Sequence, residues 1–218
     1  MYLEMDAVTK VISGETVLNQ VNLSMDGGKI YGLWGKNGSG KTMIMRAVCG
    51  LIHPTEGKVI VDGEVLGEKR DFPESVGVLL ENPGFIGKYT GYQNLKMLAD
   101  IKKEIGEEEI EGILEKVGLK ENARKKYRKY SLGMKQKLGI AAALMENPRM
   151  ILLDEPTNAL DEESVKKLRE LLLEYREKGA LIILASHDKE ELSALSDEVY
   201  EIENGRIKNH IVQRKMES

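Results

Sequence analysis

Apolar residues along the chain fall into two kinds of spacing, short unbroken runs and helical stripes. Three runs are continuous: KIYGLW at Lys29–Trp34, MILLD at Met150–Asp154 and ALIILAS at Ala180–Ser186. A run of this length without polar alternation fits a strand covered on both faces, the usual setting of a parallel sheet. Helical spacing follows the first run, over Thr42–Cys49 and up to Gly50. It also joins the other two runs, where Val165, Leu168, Leu172 and Tyr175 recur three and four positions apart. Strand, helix and strand in that order predict an α/β core with parallel strands.

Two regions depart from this pattern. Residues 1 to about 30 and 56 to 67 alternate apolar with polar positions and are cut by SGET, DGGK, TEGK and VDGE. Alternation punctuated by turn residues predicts an antiparallel subsheet. From about 88 to 146 the spacing is almost wholly helical, with Ile110, Ile113, Leu114 and Val117 on one face. The expected organisation is a single domain over residues 1–218, with a helical subdomain inserted in the α/β core.

Composition narrows the range of partners. The 218 residues carry 32 Lys and Arg against 36 Asp and Glu, a net charge of −4. A chain built to grip a polyanion usually has a basic excess, so nucleic acid is not expected as a partner. The short basic run ARKKYRKY (Ala123–Tyr130) reads as a solvated face. The one cysteine, Cys49, allows no internal disulfide and suits a reducing compartment. The opening MYLEMDAVTK does not have the layout of a secretory leader. The longest apolar runs, Ala180–Ala185 and Ile140–Met145, fall far short of the ~20 residues that cross a bilayer. A cytoplasmic location is expected, with any membrane association made through a partner.

The candidate chemistry starts where the first strand ends. Gly35, Lys36, Asn37, Gly38, Ser39, Gly40, Lys41 and Thr42 spell GKNGSGKT, the G-x-x-x-x-G-K-[ST] pattern of a phosphate-binding loop. Its glycines let successive backbone N–H groups converge on phosphate oxygens, Lys41 reaches the β and γ phosphates, and the Thr42 hydroxyl suits Mg²⁺. The strand ILLDEP then ends in Asp154, positioned for the metal, and Glu155, able to polarise a water for in-line attack on the γ-phosphate. Neither of the GTPase patterns N-K-x-D and D-x-x-G occurs.

With YSLGMKQK (Tyr130–Lys137), NALD ending at Asp161 and LASHD containing His187, the ordered set of motifs resembles the ATP-binding cassette of ABC transporters over residues 2 to 208. The resemblance implies a P-loop NTPase (RecA-like) core with an antiparallel β subdomain and an inserted helical one. It also implies ATP and Mg²⁺ as ligands, a second cassette as partner and a separate membrane permease. Two cassettes would pair head to tail, with Ser131, Leu132, Gly133 and Met134 of one signature facing the ATP of the other. Lys41, Glu155 and His187 would be catalytic, and Asp161 would couple the two sites. The permease would meet the helical insertion and residues 82–95. The phrase ENPGF together with YSLGMKQ resembles the bacitracin-resistance and lantibiotic-immunity exporter branch. A soluble, non-transport cassette ATPase is the alternative, but such proteins often carry paired cassettes or long coiled coils.

Four positions depart from the family pattern. Ile12 stands where an aromatic residue usually stacks on adenine, which predicts modest ATP affinity and poor discrimination against GTP. Glu81 replaces a glutamine that contacts Mg²⁺ or the attacking water; beside Asp154 and Glu155 it would place three carboxylates together and raise at least one pKa. Leu132 and Met134 replace a glycine and a glutamine. Trp34 is expected beside the loop, Met43 and Met45 behind it, and Cys49 in the core. His53 and His210, in loop-like or terminal segments, receive no role, and Asn209–Ser218 is left as a tail.

Overall fold

The computed structural model describes residues 1–81 and 84–213. The amino-terminal half begins with the antiparallel strands β1 (Leu3–Ile12) and β2 (Glu15–Met25), then β3 (Lys29–Trp34) and helix α1 (Lys41–Val48). Strands β4 (Glu56–Val61), β5 (Glu64–Val65) and β6 (Val76–Leu79) follow, then the helices α2 (Gly91–Lys102), α3 (Glu107–Lys116) and α4 (Leu132–Leu144). The rest comprises β7 (Met150–Asp154), α5 (Glu162–Glu177), β8 (Leu181–Ser186), α6 (Lys189–Leu195), β9 (Glu198–Glu203) and β10 (Arg206–Val212).

The strands form two sheets. One is antiparallel, in the order β2-β1-β4-β5; the other has the order β10-β9-β3-β8-β7-β6. In the second sheet β9, β3, β8, β7 and β6 run parallel, and only β10 is antiparallel to its neighbour. The three unbroken apolar runs therefore lie side by side at its centre. Their period of two then splits each run between two cores. Met150, Leu152, Leu181 and Ile183 join α1 and the antiparallel sheet in one core. Ile151, Leu153, Ile182 and Leu184 join residues of α2 to α6 in the other. Both faces are sealed, which explains why no polar residue interrupts the runs.

The sequence pattern misses β6, β9 and β10. Residues 209–212, expected as part of a tail, belong to β10 and close the sheet edge; residues 214–218 lie outside the described residues. His210 accordingly sits in a strand, stacked on Tyr200 with ring centroids 4.1 Å apart and its Nε2 2.8 Å from Glu198 Oε2. Cys49 and Met45 are buried as expected. Among the described residues, no helix is long and apolar enough to cross a membrane.

Candidate active site

Parallel strands end on one edge of a sheet, and the loops that follow them meet there. The loop after β3 leads into α1 through Gly40, whose φ of 112° turns the chain into the helix with no side chain capping the first turn. The amides at this helix start, with their partial positive charge, are thus left to face an anion. The Ser39 hydroxyl is buried and has no hydrogen-bond partner among the described residues. An unpaired buried hydroxyl in such a loop fits a phosphate oxygen as its acceptor. Lys41 is 6% exposed and its Nζ donates to the carbonyls of Gly35 at 2.6 Å and Lys36 at 3.2 Å. Burial pulls its pKa down, while Glu155 and Asp154 oppose the shift.

The end of β7 brings the carboxylates to this loop. Thr42 Oγ1 donates to Asp154 Oδ2 at 2.6 Å, which joins the first residues of α1 to the last of β7. A hydroxyl beside a carboxylate offers hard oxygen donors, the set that suits Mg²⁺ when phosphates complete its shell. Burial raises the Asp154 pKa, with the Thr42 hydrogen bond opposing and Glu155 adding to the rise. Glu155 takes a positive φ of 47°. Its backbone is gripped at both ends: its N–H donates to Ala185 O at 2.8 Å, and its carbonyl accepts from Gln136 Nε2 at 3.1 Å. Strain at a single residue persists where neighbours fix it in this way.

From that fixed position the Glu155 carboxylate reaches the loop after β8. Its Oε1 accepts from His187 N–H at 3.1 Å and lies 2.9 Å from His187 Nδ1, while its Oε2 accepts from Ser186 Oγ at 3.2 Å. Hydrogen bonding to Glu155, and then its charge, push the His187 pKa up. A cavity of about 580 Å³ opens beside these groups, lined by Asn37–Met43, Asp154 and Glu155 and by Glu15–Val17 with Asn204–Gly205; of the Glu155–His187 pair, Glu155 lines it and His187 does not.

The signature residues lie elsewhere on the chain. Ser131 caps α4, its Oγ accepting from Met134 N–H at 3.2 Å, and Leu132 is 64% exposed. None of Ser131, Leu132, Gly133 and Met134 lines the cavity of its own chain. Met134 instead packs its side chain on the helical-side core. A Cβ on Gly133 would lie 2.6 Å from the Ala159 carbonyl oxygen, so this glycine admits the loop that leads to Asp161. Asp161 caps α5, its Oδ1 accepting from Ser164 N–H at 2.9 Å; the Ser164 hydroxyl first, and then this N–H, lower its pKa.

Two of the departures gain neighbours here. Ile12, at the end of β1, is 41% exposed; it does not line the cavity itself but pairs with Glu15 of β2, which does, beside Thr16 and Val17. Glu81 joins burial and Glu155 in raising the Asp154 pKa, and Arg46 of α1 donates to its Oε1 at 2.5 Å. The Asp154 shift comes first from burial, and Glu81 is the smallest of its named causes. Asn82 and Pro83, the start of the segment expected to face a permease, lie outside the described residues.

The structure also adds groups that the sequence reading left without a role. Gln136 reaches from α4 to the carbonyls of Glu155 and Pro156, the latter at 3.0 Å. The Asn204–Gly205 turn, both residues at positive φ, braces the phosphate loop through Gly205 N–H to Ser39 O at 2.8 Å. An Asn-Gly pair between the alternating segments EVYEIE and RIKNHIV is a hairpin signal that could have revealed this turn. Arg46 had no such signal, since its partner lies 35 positions away.

A parallel sheet whose first loop cradles phosphate, with a hydroxyl–carboxylate pair and a Glu–His pair at one end of the cleft, defines an ATP-hydrolysing P-loop NTPase. The ABC transporter family matches residues 18–158, and the chain belongs to that family. It is 44% identical to the uncharacterized ABC transporter ATP-binding protein YybJ of Bacillus subtilis (strain 168), over 94% of each chain. It is 39% identical to the bacitracin transport ATP-binding protein BcrA of Enterococcus faecalis, over 94% of this chain and 67% of that one. Among solved structures, the dimeric post-hydrolysis state of the cassette MJ0796 bound to ADP and Pi superposes with a TM-score of 0.86. It is 25% identical and is matched over 98% of this chain and 100% of that one.

Proposed function

We propose that two cassettes pair head to tail on a membrane permease and that their ATP hydrolysis drives export of a peptide antibiotic of the bacitracin or lantibiotic type. One observation carries the pairing: the signature at the start of α4 lies outside its own chain's cavity. Each cavity thus has a loop for the β and γ phosphates, an acid pair for metal and water, and no signature of its own. A second chain turned head to tail supplies Ser131 and the amides around Gly133 to the open side of the nucleotide. The start of α4 then adds its partial positive charge opposite that of α1.

The reaction follows from the side chains. Lys41 leaves the loop carbonyls to meet the β and γ phosphates, neutralising charge that grows as the terminal phosphoryl group departs. Thr42 and Asp154 would hold Mg²⁺, with Glu81 near the same site; bound there, the ion would screen phosphate charge. Glu155 takes the proton of the attacking water, and His187, held against it, orients water and γ-phosphate. Asp161, capping α5 beside the Gly133 contact, sits where one site senses the other.

The cargo rests on relatives that include proteins named for bacitracin and lantibiotic transport. In the assembled transporter the cassette is peripheral on the inner face of the membrane. The pairing is tested with Glu155→Gln in saturating MgATP: a dimer by light scattering is expected, and a persistent monomer rejects the mechanism. The cargo is tested with the transporter in proteoliposomes, where bacitracin or a lantibiotic is expected to stimulate ATP turnover above the peptide-free rate. No stimulation by either class rejects that cargo.

A further inference from the structure

The only tryptophan of the chain occupies the last position of β3, immediately before the phosphate loop. It is half-buried, packs on the helical-side core and does not line the nucleotide cavity. In the sheet it stands opposite Ser186, the last residue of β8, so the loop carrying His187 begins beside its indole ring. Two contacts tie ring and loop together. The indole Nε1–H donates to the His187 carbonyl at 3.2 Å, and Lys189 Nζ lies 4.8 Å from the ring centroid.

These contacts complete a set around one residue. The His187 N–H is bound to Glu155 and its C=O to Trp34, so both peptide units that flank the imidazole are fixed. Ser186 Oγ accepts from Asp188 N–H at 3.1 Å and Asp188 caps α6, which leaves little play in the loop on its far side. An aliphatic side chain at position 34 would fill space but could not donate. The His187 imidazole is itself exposed, so packing does not hold it; its placement depends on its backbone and on the single Nδ1 contact to Glu155.

We propose that Trp34 is a positioning residue for ATP hydrolysis: its indole N–H and the Lys189 cation on its ring fix the His187 peptide so that the imidazole stays on Glu155. The proposal rests on the reading of His187 and Glu155 as the hydrolytic pair. Because Trp34 acts through His187 and lies outside the cavity, its loss is felt in turnover and not in nucleotide binding. Removing one neutral hydrogen bond of this kind corresponds to a loss of about 3- to 10-fold in rate.

The experiment compares ATP turnover of the wild type, Trp34→Phe, His187→Ala and the double variant, with thermal melts as a folding control. Trp34→Phe is expected to lower kcat about 3- to 10-fold with KM for ATP within about 2-fold. In the His187→Ala background, Trp34→Phe is expected to cause no further loss, since the group it positions is gone. Should Trp34→Phe fail to fold, Lys189→Ala, which alters only an exposed side chain, is expected to lose about 2-fold in kcat, again only when His187 is present. An equal loss in both backgrounds, or full turnover of Trp34→Phe beside an impaired His187→Ala, overturns the proposal alone. Wild-type turnover of His187→Ala overturns the reading of His187 and the proposal with it.

Discussion

His187 and Glu155 illustrate how single residues acquire their properties from neighbours. An isolated histidine titrates near 6.5, but the Glu155 carboxylate favours the charged imidazole and lifts that value. The sign follows from linkage. With a folded pKa above the unfolded one, the contact contributes fully below the unfolded value and is lost as pH rises through the elevated folded one. NMR titration is expected to place His187 above the ordinary histidine value, and Glu155→Gln is expected to bring it back. Glu81 is the second case. Its partner Arg46 lies on α1, so the pair links the helix behind the phosphate loop to the segment that leaves β6. Both side chains are well exposed, so Glu81→Gln is expected to change stability little. Nucleotide affinity by calorimetry is expected to stay within about 2-fold, while the coupling of ATP turnover to transport changes.

At the scale of elements, α4 ties the signature to the catalytic carboxylate of its own chain. Gln136 binds the Glu155 and Pro156 carbonyls, and Gly133 lies against Ala159. Under the proposed pairing, the group that would meet the partner's nucleotide sits on the same helix as a clamp on Glu155. Gly133→Ala would push its methyl into the Ala159 oxygen and separate these elements. A stability loss of about 1–3 kcal/mol by denaturant unfolding is expected, with ATP turnover reduced more than 10-fold. Legibility at this scale was uneven, for a physical reason. Strands β3, β7 and β8 were readable because both of their faces are covered, so their apolar runs are unbroken. Strand β6 has only the four residues VGVL, too short to show a period. Strands β9 and β10 alternate around Asn204–Gly205, but the place of β9 beside β3, with β10 outside it, is a long-range pairing that local pattern does not encode.

At the scale of the whole molecule, the proposed pairing makes hydrolysis a property of two chains. The cavity carries the phosphate loop, Asp154 and Glu155, and its lining includes none of Ser131, Leu132, Gly133 and Met134. Hydrolysis should then depend on encounter of two chains. For the isolated cassette, specific ATPase activity is expected to rise with protein concentration until dimers dominate, and a flat dependence over a wide dilution series would contradict shared sites.

The sequence by itself determined the chemistry that is local in the chain: the loop Gly35–Thr42, the strand-end pair Asp154–Glu155, His187 after β8, and the order in which they occur. Each depends on residue types at fixed spacing, which folding does not alter. Only the tertiary structure decided which groups meet across the sheet. It put Thr42 on Asp154, Glu155 on His187, Arg46 on Glu81, Trp34 on the His187 carbonyl and the Asn204–Gly205 turn under the phosphate loop. It also paired Ile12 with Glu15 at the rim of the nucleotide cavity. Such pairings join residues from 32 to more than 150 positions apart, and strand order and register set them, not neighbours in sequence.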